Sequence, residues 1–331
     1  MFTEERKFES VMKRIGASML IFIAAFNLLC GGTAALQQLF ADMLFPNSAV
    51  VYAITDVLCS LAYCASFILP VLFFYLISKK SDAEPMDLEL KLPERRSVFK
   101  ILSILFIGIS VILTMAYLNS ILFPASSQTN EALFDTDLKT PYRIVLMFLS
   151  TAVIPAFIEE LMFRGMVYAN LRPYGKGVAI MISALLFGFM HQNAGQLLYA
   201  TAAGIVLAVV YEMTGSFWCC VLLHFFNNFL AIIEQVLFQQ CAVERASLMC
   251  SIIESGIFLT GLIFAALWML TKQKELRNQS AEGGAFFGQH RSVAPACRIS
   301  GKVVLRGFFN PVMIVFLVFA VGQMIAVWLL Y

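Results

Sequence analysis

Apolar residues run through this chain in long blocks, and polar residues gather between them. Nine blocks stand out, at 17–40, 49–78, 101–123, 143–170, 177–191, 196–213, 216–238, 249–271 and 308–331. A helix that crosses a bilayer needs roughly 17–25 mostly apolar residues. The pattern therefore predicts an all-α, polytopic integral membrane protein with eight to nine transmembrane helices. The fifth block is short, and the second and fourth are long, which implies tilt or kinks. Two polar stretches interrupt the series. Residues 79–100 are charged and contain Pro85 and Pro93, as a cytoplasmic connector would. Residues 272–307 mix Gly, Ser and basic residues, and read as a mobile cytoplasmic loop before a last anchor helix. Three regions follow: 1–139 with three spans, a core at 140–238, and the C-terminal spans with their basic loop at 239–331. No internal repeat and no low-complexity tract is visible.

Composition excludes an ordinary soluble domain. Hydrophobic residues make up 60% and charged residues 13% of the chain, against roughly 45–50% and about 25% in soluble domains. The net charge of +2 says little about partners; the placement of Lys and Arg says more. With the N-terminus inside, nineteen of the 23 Lys and Arg fall in inner segments, three (Lys139, Arg143, Arg245) in outer ones, and Arg164 within a helix. That asymmetry predicts a multi-pass protein of the plasma membrane with a cytoplasmic N-terminus. The basic loops then reflect topology and nearby anionic lipid, not nucleic acid. The N-terminal MFTEERKFESVMKRIGAS carries both charge signs and does not resemble a cleavable signal peptide, so the first span is expected to be retained. Most of the eight Cys lie in apolar runs, where Cys behaves as a small hydrophobe. None forms a CxxC pair, and no redox role is inferred.

The fourth block breaks the apolar pattern in a specific way: STAVIPAFIEELMFRGMVYANLRPYG. Glu159 and Glu160 sit mid-span, where an ionisable group costs at least a few kcal/mol and usually faces a cavity. Arg164 is four residues after Glu160, on the same helical face. Glu159 is rotated about 100° away, so Glu160 is the natural partner of Arg164 and Glu159 is left for chemistry. Pro155 removes a backbone hydrogen bond just upstream. The fifth block ends LLFGFMHQN with His191, and the seventh places His224 and Asn228 one turn apart. Counting about 1.5 Å per residue from the inner surface puts Glu159, His191 and Asn228 each roughly 20 Å deep, with His224 a turn lower. Three helices thus converge on one layer around a central polar cavity. Asn227, Glu212, Glu234, Glu254 and Asp56 read instead as helix glue or helix-end residues. Trp218 and Tyr211 read as interfacial anchors.

EELMFRG, FGFMH and HFFNN match EExxxR, FxxxH and HxxxN in order. On these motifs the chain resembles the CPBP family, the CAAX prenyl protease type II-like and bacteriocin-processing (Abi) intramembrane proteases. The resemblance covers about residues 140–238. It implies an intramembrane endopeptidase whose catalytic set is Glu159, Glu160, Arg164, His191, His224 and Asn228. In that scheme Glu159, with His191, activates water as general base. His224 and Asn228 stabilise the oxyanion, and Glu160 with Arg164 supports the site. The implied substrate is a peptide or lipidated protein in the membrane, in CAAX processing or peptide maturation. Members are often named metalloproteases, and Glu159, His191 and His224 form a legitimate zinc set. With no HExxH, and with Asn and Arg in the motifs, a metal-free glutamate mechanism is preferred and zinc is the alternative. Two other functional classes share buried carboxylates and histidines. One is a proton- or ion-coupled transporter, which inverted repeats would favour. The other is a catalytically silent membrane immunity or scaffold protein.

Overall fold

The computed structural model describes residues 2–45, 48–79, 98–123, 141–281 and 299–330. Among the described residues the chain forms helices joined by turns, and no strand. Hydrocarbon offers no water to peptide groups, and a helix pairs them within one segment. Eight helices are long and apolar enough to cross a membrane. They are α1 (Glu4–Phe40), α2 (Ala49–Lys79), α3 (Val98–Leu122), α4 (Tyr142–Tyr174), α6 (Ala194–Thr214), α7 (Phe217–Gln240), α8 (Val243–Lys274) and α10 (Pro311–Leu329). Two shorter helices complete the set, α5 (Lys176–Met190) and α9 (Gly301–Phe308).

Eight lies within the expected eight to nine, and the block at 177–191 is the one that forms a shorter helix. Its helix, α5, has 15 residues, about 22 Å of rise against a hydrocarbon core of about 30 Å. It lies inside the bundle, packed between α4 and α6, with Ile182, Leu186, Phe187 and Met190 among its buried residues. Small residues bring α5 and α6 together: Gly188 lies against Leu197 and Thr201, and Gly204 against Ala184. Beyond α5 the chain turns within the bundle, with Gln192 buried. Gln192 takes a left-handed backbone (φ 53°), and Asn193 caps α6 by accepting from the Gly195 amide at 2.9 Å. Neighbouring helices close the turn with amide side chains. Asn119 on α3 donates to the Gly195 carbonyl at 2.8 Å. Asn27 on α1 donates to Gln192 Oε1 at 3.4 Å and accepts from Gln323 on α10 at 2.6 Å.

Polar groups collect at the two ends of the bundle, in alternation along the chain. At one end Arg14 reaches Ser78 across α1 and α2, and the Phe8 ring meets Tyr174 edge-on at 5.2 Å. Glu212 there accepts from Arg172 at 3.1 Å and Tyr168 at 2.5 Å and pairs with Lys176, a tie between α4, α5 and α6. At the other end Asp56 accepts from Gln37 at 2.8 Å and pairs with Arg143 at 3.7 Å. Asp56, which has no partner within its own span, thus joins α1, α2 and α4.

Two further expectations change. Residues 80–97 of the connector and 282–298 of the loop, with Lys139, lie outside the described residues. The rest of 272–307 is not a loop: helix continues beyond 272, and α9 docks on α1. Val303, Gly307 and Phe308 form the buried side of α9, with Gly307 against Phe8, while Arg306 pairs with Glu9. Tyr211 is not an interfacial anchor; it is 4% exposed and packs edge-on against Tyr168 at 5.4 Å. Trp218 keeps 41% exposure.

The α3–α8 crossing depends on a missing side chain. A methyl group at Gly261 would lie 2.9 Å from the Phe106 carbonyl and closer still to Ser110. At Gly256, on the same helix, it would meet nothing within 4 Å. Gly261→Ala should destabilise the protein in detergent by about 1–3 kcal/mol through overpacking, and Gly256→Ala should not. Equal unfolding midpoints for the two variants would contradict this packing.

Candidate active site

The helix that carries both adjacent carboxylates is irregular. In α4, wide π-type turns at Phe148–Val153 and Leu161–Tyr168 flank an α-helical segment, Ile154–Glu160. Such widened turns recur at functional sites. Pro155 explains part of the first one. It has no N–H, so the carbonyl that a regular helix would pair with it, that of Thr151, is left over. Asn228 on α7 fills the gap, donating its Nδ2 to Thr151 O at 3.0 Å. The side-chain oxygen of Asn228 accepts from Asn227, which in turn accepts from Tyr199.

Glu160 is engaged on both oxygens. Oε2 lies 3.0 Å from Arg164 Nε, and Oε1 lies 3.0 Å from His224 Nδ1. The Arg164 Nε–H does not aim at Oε2, so this contact is an ion pair at close range without an aligned hydrogen bond. Arg164 also donates from Nη2 to the Gly204 carbonyl at 3.3 Å and lies over the Phe187 ring, 5.6 Å from its centroid. Glu160 and Arg164 have no exposed surface, and His224 has 5%.

Glu159 presents a different picture. Its Oε1 accepts from the Tyr63 hydroxyl of α2 at 2.5 Å. Its Oε2 has no hydrogen-bond partner and stands 3.9 Å from His224 Nε2, beyond hydrogen-bond length. His224 therefore sits between the two carboxylates, one on each ring nitrogen. His191 turns Nδ1 to the Phe187 carbonyl at 2.8 Å. A carbonyl only accepts, so Nδ1 carries the proton and the neutral ring keeps a lone pair on Nε2. Glu159 and His224 are the ionisable groups that act on His191. The Phe187 ring is the common neighbour, 5.1 Å from the ring of His191 and 5.8 Å from that of His224.

Glu159, Glu160, Arg164 and His224 thus meet directly, and His191 joins them through Phe187 and electrostatically. Asn228 stands apart: its hydrogen bonds among the described residues go to Thr151 and Asn227, and to neither carboxylate. In place of the expected polar cavity, the structure places a buried cluster of polar side chains in mutual contact. The sequence reading missed Tyr63. It lies in an apolar run some hundred residues before Glu159, and no spacing rule links the two spans. Phe187 was visible as the first letter of FGFMH, but not its contacts. For metal, the fit is poor. Among the described residues no three His, Cys, Asp or Glu side chains stand together as a ligand set.

Residues 141–230, which hold this cluster apart from Tyr63, match the family described as type II CAAX prenyl endopeptidase Rce1-like. This segment belongs to the CPBP family. A curated relative from Bacillus subtilis (strain 168), named "Putative membrane peptidase YdiL", is 28% identical over 136 residues. The aligned stretch covers 40% of this chain and 53% of the relative, so the chain spans about half the length of the curated relative it matches. No solved structure matches the chain. The spans outside the CPBP segment therefore rest on their own geometry, and α2 contributes to the cluster from there.

Removing one member of the buried ion pair should be costly. Arg164→Met leaves Glu160 without its cation and should destabilise the protein by about 3–5 kcal/mol. The double variant Glu160→Gln, Arg164→Met should recover much of that loss. Denaturant midpoints in detergent check this, and a stable Arg164→Met single variant would contradict it.

Proposed function

We propose that the chain is an intramembrane endopeptidase in which Glu159 activates the attacking water. The observation that carries this reading is the contrast between the adjacent carboxylates. Neither Oε2 accepts a hydrogen bond, but that of Glu160 is closed off by the Arg164 guanidinium at 3.0 Å, while that of Glu159 has only His224 Nε2 at 3.9 Å. A buried carboxylate with one open oxygen suits a general base.

The proposed step runs as follows. Glu159 Oε2 takes a proton from water, and the water oxygen bonds to the carbonyl carbon of the scissile peptide. Charge develops on the former carbonyl oxygen. His224 donates to it from Nε2, and Asn228 from the Nδ2–H not used on Thr151; donors fixed in a site withdrawn from water stabilise such an oxyanion strongly. The carbon–nitrogen bond then breaks, and Glu159 returns its proton to the leaving nitrogen. One water is consumed, and a carboxylate and an amine result. His191 polarises the water through its free Nε2, and Glu160 with Arg164 holds His224 in place. No metal is required in this scheme.

The substrate class proposed is a membrane-embedded peptide or lipidated protein, with prenylated CAAX peptides first to test. The name of the matched family supports that order. We place the N-terminus in the cytoplasm and the protein in the plasma membrane, with anionic lipid against the basic end that carries Arg14, Arg172 and Lys176. The Lys and Arg asymmetry supports this orientation, since α5 and α6 together return the chain to the end where Lys176 pairs with Glu212.

The test uses purified full chain in detergent with two probes, a farnesylated CAAX peptide and an unprenylated membrane-spanning peptide. Wild type should cleave at least one, and Glu159→Ala should lower kcat by about 10²–10⁴-fold. Chelation with metal analysis should leave turnover intact. Loss of turnover that zinc restores would overturn the metal-free scheme. Cleavage of neither probe, with ion flux dependent on Glu159, would favour the transporter class.

A further inference from the structure

We propose that Tyr63 is a positioning residue for the general base: its hydroxyl holds Glu159 Oε1 so that Oε2 is the oxygen presented to water. This rests on the reading of Glu159 given above. A carboxylate on a flexible stem has two equivalent oxygens, and its terminal torsion is broad and roughly two-fold. Left free, Glu159 would present either oxygen in several orientations. The Tyr63 hydroxyl breaks that equivalence with a 2.5 Å hydrogen bond, in the length range of a charge-assisted O–H to carboxylate contact. The opposite oxygen accepts no hydrogen bond and stands 3.9 Å from His224 Nε2.

The phenol is itself held. Its ring packs against Phe67 at 5.0 Å, and Phe26 of α1 meets it edge-on at 6.4 Å. Phe22 packs on Phe67 at 4.8 Å and backs the pair from α1. The backbone is anchored too, since Ser66 Oγ donates to the Tyr63 carbonyl at 2.7 Å. An aromatic clamp from two helices therefore sets the hydroxyl, and the hydroxyl sets the carboxylate. Glu160 is held by different groups, Arg164 and His224, on both oxygens. The two carboxylates are thus fixed from opposite sides: Glu160 from the matched segment and Glu159 from α2, outside it.

A purely structural role remains as the rival, because a buried phenol also needs an acceptor. Tyr63→Phe separates the two, since it keeps the ring and removes one oxygen. Assayed on whichever probe peptide wild type cleaves, the variant should lose about a hundredfold in kcat, the scale of a misplaced reacting group. KM and the thermal midpoint should stay at the wild-type values. A second comparison uses Glu159→Asp, whose shorter stem withdraws the carboxylate from Tyr63. In that background Tyr63→Phe should cost nothing more, the non-additivity expected of coupled residues. Unchanged kcat in Tyr63→Phe, a rise in KM alone, or an equal loss in the Glu159→Asp background would each overturn the proposal. If wild type cleaves neither probe, the reading of Glu159 fails and this inference falls with it. If wild type is active and Tyr63→Phe equals it, only the inference falls.

Discussion

A guanidinium with no exposed surface, deep in an apolar bundle, sets the terms for the helices around it. Arg164 cannot reach water, so its surroundings must supply what water would. Glu160 provides the charge from one turn away, Gly204 on α6 provides a carbonyl, and Phe187 on α5 provides a ring face. His224 on α7 then takes the remaining oxygen of Glu160. Four helices are keyed to one side chain. Buried ion pairs add little net stability over apolar replacements, so the effect of this one is geometric. It fixes the rotation and depth of α4 to α7 relative to one another.

Pro155 acts on the same helix by subtraction. A missing N–H leaves the Thr151 carbonyl for Asn228, in the wide turn that precedes Glu159 and Glu160. Asn228 thereby has two connected tasks, locking α4 to α7 and, in the proposed mechanism, donating to the oxyanion. An amide with two N–H groups can serve both.

Much of this was legible in the sequence, for physical reasons. Hydrocarbon thickness turns spans into readable blocks, and helical phase turns the spacing of Glu160 and Arg164 into a contact. His224 reached that layer because depth can be counted from helix rise. What failed to show were pairings between spans. Tyr63 with Glu159, and Asp56 with Arg143, join helices whose relative rotation no local spacing encodes. Two other misreadings came from composition. Basic residues and glycine hid the eight-residue α9, whose apolar face is only three or four side chains wide. Tyr211 looked like an interface residue because the sequence does not say that Tyr168 stands opposite it.

The turn after α5 bears on where the working unit ends. Asn27 and Asn119 hydrogen-bond to the peptide and amide groups at 192–195 from helices outside residues 141–230. Cut away from α1 and α3, those groups would lose these hydrogen-bond partners. The family segment is therefore a sequence unit without being a physical one: the flanking helices act as part of its solvent. Exchange of that segment between relatives would have to carry compatible amides on the first and third helices with it.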